Sequence, residues 1–140
     1  AHCVIGVDPM SIMVTIKDES LGKGSNQSTE LYFTAERMSV RELIEARITQ
    51  EVEKYNAHAT GEYIGLVQPT ESEARLNGYS LAKGQLVDVE KQKSAAVKSF
   101  LSNGFFLLVN NRQVTDLDEE VILLPESEVS FIKLVPLVGG

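Results

Sequence analysis

The fold of this chain is decided by residues 105–114, which read Phe105-Phe106-Leu107-Leu108-Val109-Asn110-Asn111-Arg112-Gln113-Val114. The continuous apolar run at the start predicts a buried strand. The two asparagines predict a tight turn, because asparagine tolerates the left-handed backbone region that a short hairpin demands. The residues after the turn then form a short partner strand, so the whole stretch predicts a hairpin.

The residues after this hairpin continue the pattern. Asp116–Val121 predicts a helical turn, and Val129–Leu134 predicts the last strand. After it the sequence reads Pro136-Leu137-Val138-Gly139-Gly140. Proline lacks a backbone donor, so Pro136 favours the end of a sheet.

Two strands are predicted in the N-terminal part. Ile12, Val14 and Ile16 alternate with polar residues, which predicts a strand over Ile12–Lys17 with one apolar face. Asp18–Ser28 is rich in glycine, serine and asparagine and predicts a flexible hairpin loop. Glu30–Thr34 contains residues that suit a half-buried pleated surface and predicts the second strand.

The clearest helix begins at Ser39-Val40-Arg41-Glu42, which has the pattern of a capping box, and runs to about Asn56. Apolar residues recur along it at spacings of three and four, so we expect one face to cover a sheet. These residues are Val40, Leu43, Ile44, Ile48, Val52 and Tyr55. The acidic residues Glu36, Glu42, Glu45, Glu51 and Glu53 lie away from that stripe.

Residues from about 57 to 104 are interpreted as an insertion. Ala57–Gln85 has no sustained periodicity, and one short strand near Tyr63–Val67 is inferred within it. Asp88 is expected to cap a second helix that runs to about Ser102 and carries Val89, Ala96, Val97, Phe100 and Leu101 as its apolar residues. Asn103-Gly104 is expected to end this second helix.

This order of elements predicts a single α+β domain over residues 12–140. Residues 1–11 have no obvious connection to the first predicted strand, and we treat them as a leader that is either non-native or disordered. Met10 and Met13 are alternative native starts.

Composition argues against several classes of function. The 140 residues are 43% hydrophobic and 24% charged, as expected for one globular domain. The net charge of −7 would repel a polyanion, so no nucleic acid partner is expected. No apolar stretch approaches the roughly 20 residues of a membrane helix, so no membrane partner is expected. The single cysteine, Cys3, cannot form an internal disulfide, which agrees with a cytoplasmic location.

No catalytic or metal-binding constellation is predicted. His2 and His58 have no cysteine or carboxylate at ligand spacing, and Cys3 lies in the doubtful leader. Gly22-Lys23-Gly24-Ser25 joins two predicted strands, whereas a phosphate-binding loop would open a helix. We therefore expect that the chain is not an enzyme and binds no metal.

The predicted elements from Leu107 to Leu134, with Gly139-Gly140 after them, resemble the second half of ubiquitin and its relatives. The hairpin and capped helix of the N-terminal part are also similar to that family. The resemblance implies a β-grasp fold, a mixed sheet with a packed helix, over about Ile12–Asn56 and Phe105–Gly140, with the insertion outside it. The chain looks most like the ubiquitin-like modifiers of bacterial conjugation operons, which points to a role in antiphage defence.

The resemblance places the chemistry at the carboxylate of Gly140. It implies that an activating enzyme adenylates this group with ATP and magnesium, and that a conjugating enzyme carries it as a thioester to target amines. Gly139 and Gly140 lack a Cβ, which permits a close backbone approach in a narrow channel. Pro136, Leu137 and Val138 differ from the arginine-containing tail of ubiquitin and imply a cognate activating enzyme with an apolar groove. The chain itself binds no cofactor, and its further implied partners are a deconjugating or processing peptidase and a target protein.

A partner-binding patch is also implied by the resemblance. Leu108 matches the exposed isoleucine of ubiquitin around which partners bind, with Ile132 or Leu134 beside it. The sequence of the last strand does not alternate cleanly, and a register slip of one residue would reverse its faces. Leu108 is therefore either part of a patch or part of the core.

Two other functions stay open. The proline-containing apolar end is similar to the tails of the sulfur carriers of molybdopterin and thiamine synthesis, which carry a C-terminal thiocarboxylate. The chain is alternatively a non-covalent ubiquitin-like binding module with an incidental Gly-Gly. The Gly139-Gly140 end is either encoded or exposed by proteolysis.

Overall fold

The computed structural model describes residues 11–20, 26–75 and 78–134, and in them the chain is a mixed α+β protein with two helices. In chain order its elements are β1 Ile12–Ser20, β2 Asn26–Phe33, β3 Arg37–Ser39, α1 Val40–Asn56, β4 Glu62–Tyr63, β5 Glu73–Arg75, β6 Gly78–Ser80, α2 Val89–Leu101, β7 Phe105–Val109, β8 Arg112–Val114, β9 Glu120–Ile122 and β10 Val129–Lys133. The chain divides into two compact units: Ala1–Val40 with Gly104–Gly140, and Arg41–Asn103.

The first unit contains a five-stranded mixed sheet with the order β2-β1-β10-β7-β8. The first and last strands, β1 and β10, pair in parallel inside it, with Ile16 opposite Val129 and Ser20 opposite Lys133. The hairpin β1–β2 and the pairs β10–β7 and β7–β8 are antiparallel. The predicted strands at both ends of the chain are therefore confirmed.

One face of this sheet is buried, as the alternation of apolar residues requires. Adjacent strands place their buried residues opposite one another, for example Val14 opposite Leu31 and Phe131 opposite Leu107. The buried residues of this face are Val14, Ile16, Leu31, Phe33, Phe105, Leu107, Val109, Val129 and Phe131.

The predicted loop Asp18–Ser28 is wrong at both ends. Asp18–Ser20 extends β1 and Asn26–Ser28 begins β2, with Asp18 opposite Gln27. Backbone pairing in a long hairpin outweighs the weak strand preference of these polar residues. Residues 21–25 lie outside the described residues.

The helical turn predicted over Asp116–Val121 is a single turn over Asp116–Glu119, and the prediction is wrong for Glu120 and Val121. Asp116 begins a single turn, in which its carbonyl accepts from the Glu119 N–H at 3.1 Å and its side chain accepts from the Asp118 N–H at 2.9 Å. Glu120 and Val121 belong instead to β9, which pairs antiparallel with β3. The strand partner lies far away in sequence, so local pattern does not reveal it.

The tight turn of the second hairpin is confirmed. Asn110 and Asn111 have φ values of 52° and 68°, in the left-handed region. The Asn110 side chain also accepts from the N–H of Glu128 at 2.9 Å, and the N–H of Asn110 donates to the Glu128 carbonyl at 2.7 Å. The turn is thus tied to the residue that precedes β10.

The second unit combines both helices with a three-stranded sheet, β4-β6-β5. Its helix α1 has the predicted extent, and its apolar stripe is buried except at Tyr55, which is half-buried. In the predicted strand Tyr63–Val67, only Tyr63 is in a strand.

The helix α2 begins as predicted at Asp88, whose carboxylate accepts from the N–H groups of Glu90 and Lys91. It is followed by Asn103 in the left-handed region, with φ 63°. Of the apolar residues of α2, Ala96 and Phe100 are buried and Leu101 is 63% exposed, whereas the polar Gln92 is only 2% exposed. The buried position of Gln92 is explained by its hydrogen bond to the Val67 carbonyl at 3.1 Å.

Candidate recognition surface

The outer face of the five-stranded sheet carries an apolar cluster on its two neighbouring strands β7 and β10. Phe106, Leu108 and Ile132, called here the outer patch, are half-buried. Both neighbours of Phe106 and Leu108 along β7 are buried, and Ile132 follows the buried Phe131. Phe106 is directly opposite Ile132, and Leu108 is opposite Ser130. Because opposed residues point to the same side of a sheet, the three side chains share one face.

Packing on the inner face explains why these residues point outward. The rings of Phe105 and Phe131 lie 5.8 Å apart at an angle of 42°, and Leu107 and Phe131 are both 0% exposed. A register slip of one residue would move this inner set to the opposite face of the sheet. The hydrophobic free energy gained by burying these large side chains would then be lost. Leu108 therefore lies on the face of the sheet opposite to this core, and its role in a partner-binding patch stays a prediction.

Polar residues surround the outer patch. Gln113 lies opposite Leu108 in β8, and on β1 Lys17 is opposite Ser130 and Glu19 is opposite Ile132. An apolar centre with a polar margin is the composition of many protein recognition surfaces.

The remaining predicted patch residue, Leu134, comes directly after β10. Its N–H donates to the Gly104 carbonyl at 3.3 Å, and the residue is 37% exposed. Sequence reasoning named Leu108, Ile132 and Leu134 but missed Phe106. The spacing of two residues between Phe106 and Leu108 is the signal that would have found it.

The predicted tail lies outside the described residues. This holds for the conjugation residues Gly139 and Gly140 and for the recognition residues Pro136, Leu137 and Val138. The leader residues His2 and Cys3 lie outside them as well. The described part ends at Leu134, so the structure places the strand that leads to the tail and not the tail itself.

A buried polar network in the second unit was not found from the sequence. Glu51 of α1 binds the Arg47 guanidinium at 2.8 Å and accepts from the Tyr63 hydroxyl at 2.6 Å and the Leu66 N–H at 3.0 Å. The side chains of Arg47 and Glu51 are only 4% and 14% exposed. Glu51 is thus an internal acceptor that joins the helix to the segment after β4.

The network changes the protonation properties of two tyrosines. Burial raises the pKa of the Tyr63 hydroxyl, and the charge of Glu51 and the hydrogen bond to it raise this pKa further. Burial, followed by the charge of Glu51, also raises the pKa of Tyr79. Both hydroxyls stay protonated where an ordinary tyrosine ionises, so Tyr63 acts as a hydrogen-bond donor.

Close packing around the network requires glycine at position 65. A Cβ at Gly65 would lie 2.2 Å from Glu51 Oε2 and 2.2 Å from Tyr63 Cε2, closer than any real contact. Every buried side-chain nitrogen or oxygen in the described ranges has a partner. Such a satisfied and enclosed arrangement orders this segment.

Among residues 11–20, 26–75 and 78–134, no group of histidine, cysteine and carboxylate side chains has an arrangement suited to a metal ion. In the same part of the chain, no helix is long and apolar enough to cross a membrane.

The sequence was also compared with known proteins. No protein-family model matches the chain, and no curated protein matches it.

Proposed function

We propose that this chain is a ubiquitin-like modifier with a β-grasp fold, whose carboxylate at Gly140 is adenylated by an activating enzyme. A conjugating enzyme then carries the acyl group as a thioester and transfers it to target amines in the cytoplasm. The observation that supports this proposal best is the parallel pairing of β1 with β10 inside a mixed sheet. A β-grasp requires this pairing of the first and last strands.

The position of β10 suits an acyl donor. It pairs with β1 on one side and with β7 on the other, so it is held on both sides up to Lys133. Residues 134–140 come directly after it and end in two glycines. When Gly140 is the terminal residue, one oxygen of its carboxylate attacks the α-phosphorus of ATP and pyrophosphate leaves. The resulting acyl-adenylate has AMP as its leaving group, so the Gly140 carbonyl becomes a reactive acyl donor.

The outer patch supports the recognition part of the proposal. Leu108 and Ile132 are half-buried on the outer face of β7 and β10, and β10 leads to the tail, so an activating enzyme that holds the tail would lie close to them. The catalytic groups then belong to the partner enzymes. A processing or deconjugating peptidase and a target protein complete the proposed pathway.

The test is the mass of the C-terminal peptide after incubation with a candidate cognate activating enzyme, ATP and magnesium. We expect an adduct on an enzyme cysteine that is cleaved by dithiothreitol and that passes to a lysine when a conjugating enzyme is added. Deletion of Gly140 is expected to abolish the adduct, and Leu108→Ser is expected to reduce it without unfolding the chain.

Two results would replace the proposal. Exchange of one C-terminal oxygen for sulfur would identify a sulfur carrier, a function that the proline-containing apolar tail also suits. An unchanged C-terminus with every activating enzyme encoded beside the gene, together with partner binding that survives deletion of Gly140, would identify a non-covalent binding module.

A further inference from the structure

The second unit contains a cleft of about 220 Å³ that the proposed function does not use. It lies among the loop at Pro69–Glu71, the segment Leu81–Val87 and the first turn of α2. Its apolar walls include Pro69, Leu81, Leu86 and Val87, and its carboxylates are Glu71 and Asp88.

The volume of the cleft limits what it holds. Sites for small molecules and cofactors usually enclose about 300–1,000 Å³. At about 220 Å³ this cleft is smaller and suits one or two side chains of a partner. A peptide segment is therefore a better fit than a cofactor.

Both carboxylates are held in place before any partner arrives. Glu71 Oε2 accepts from the Gln85 side chain at 2.9 Å. Asp88 Oδ1 accepts from the N–H groups of Glu90 and Lys91, at 2.9 Å and 3.2 Å. Groups that are already ordered lose less conformational entropy on binding, which favours their use in recognition.

The cleft also includes the most exposed large apolar side chain among the described residues. Leu86 is 65% exposed, and it lies beside the buried Val87. Lys91 also lines the cleft, so its ionisable residues are two acids and one base. With the overall charge of −7, the electrostatic preference is for a cationic partner.

We propose that this cleft is a docking site for an extended segment of a partner protein that has a lysine or arginine next to an aliphatic residue. The aliphatic side chain packs on Leu86 and Leu81, and the cation lies between Glu71 and Asp88. This inference does not rest on the proposed modifier function. It gives the segment between the two helices a binding role of its own.

The test uses amide chemical shifts of the isotope-labelled chain titrated with the capped pentapeptide Ala-Lys-Leu-Arg-Ala. We expect shifts confined to residues 69–71 and 81–92. Glu71→Gln keeps the shape of the side chain and is expected to weaken binding by up to about fivefold, as for loss of one charge pair at a surface. Leu86→Ser is expected to weaken it by a similar factor.

Matched control variants distinguish docking in the cleft from nonspecific association of the peptide. Leu101→Ser changes an equally exposed leucine of the same unit, at 63%, which does not line the cleft. Glu53→Gln removes an exposed carboxylate from α1. Neither should change the affinity. Each variant counts as folded if its amide chemical shifts away from the mutated site are unchanged.

Three outcomes would overturn the inference. The first is that the peptide causes no chemical-shift changes in the unsubstituted chain, or causes them only outside the cleft. Another is equal binding of the charge-reversed peptide Ala-Glu-Leu-Glu-Ala. The third is concentration-dependent shifts at the cleft without peptide, because they would show that a second copy of the chain occupies it.

Discussion

Replacing Glu51 by alanine tests whether the polar network of the second unit holds that unit together. The change removes one acceptor each from Arg47, the Tyr63 hydroxyl and the Leu66 N–H. The Arg47 side chain is only 4% exposed, so its charge loses a carboxylate partner at a buried position. Breaking a buried ion pair costs about 3–5 kcal/mol, and because Arg47 keeps a further interaction we expect Glu51→Ala to lower the free energy of unfolding by about 3 kcal/mol.

The assay is equilibrium unfolding in urea, followed by circular dichroism of the helices. The matched control is Glu53→Ala, two residues later on α1, where the side chain is exposed and the change should stay within about 0.5 kcal/mol. Tyr63→Phe removes one hydrogen bond to the carboxylate and is expected to cost about 1.5–3 kcal/mol. If Glu51→Ala costs no more than Glu53→Ala, the network does not contribute to stability and our reasoning is wrong.

Three further results are expected. Leu107→Ala should lower the free energy of unfolding by about 2–5 kcal/mol, whereas Leu108→Ala on the outer face should lower it by about 1 kcal/mol. Both values are measured by urea unfolding, and equal losses would contradict the assignment of the two sheet faces. At Asn111, with φ 68°, glycine should change the unfolding free energy by less than about 0.5 kcal/mol, whereas valine should lower it by about 1–2 kcal/mol. Above the ordinary tyrosine pKa of 10.0, unfolded chains ionise while Tyr63 keeps its proton, so stability should fall with pH. Tyr63→Phe should make that fall less steep by up to about 1.4 kcal/mol per pH unit, as measured by urea unfolding at stepped pH.

Elements with strong local signals could be predicted from the sequence. The hairpin at residues 105–114 combines an apolar run with two asparagines, and both features act within a few residues. The cap at Asp88 is equally local, because the carboxylate binds N–H groups two and three residues ahead. The outer position of Leu108 was named only as one of two alternatives, since its direction depends on pairing with β10.

Two of the missed strands, β3 and β9, pair with each other although they are distant in sequence. The strands β3 and β9 are three residues each, and neither has an apolar pattern long enough to identify it. Glu51 looked like one more acid away from the apolar stripe of α1. Its role became visible only when Tyr63 and Leu66 were placed beside it.

The sequence by itself determined the hairpin, the two helices and the strands Ile12–Lys17 and Val129–Lys133, because backbone preference and side-chain period are local properties. Only the tertiary structure decided that β1 and β10 pair in parallel, that Phe106 joins Leu108 and Ile132 on one face, and that Glu51 is an internal acceptor. Each of these needs residues far apart in sequence to meet. Such contacts are selected by burial of the whole fold, and no short stretch of sequence carries that information.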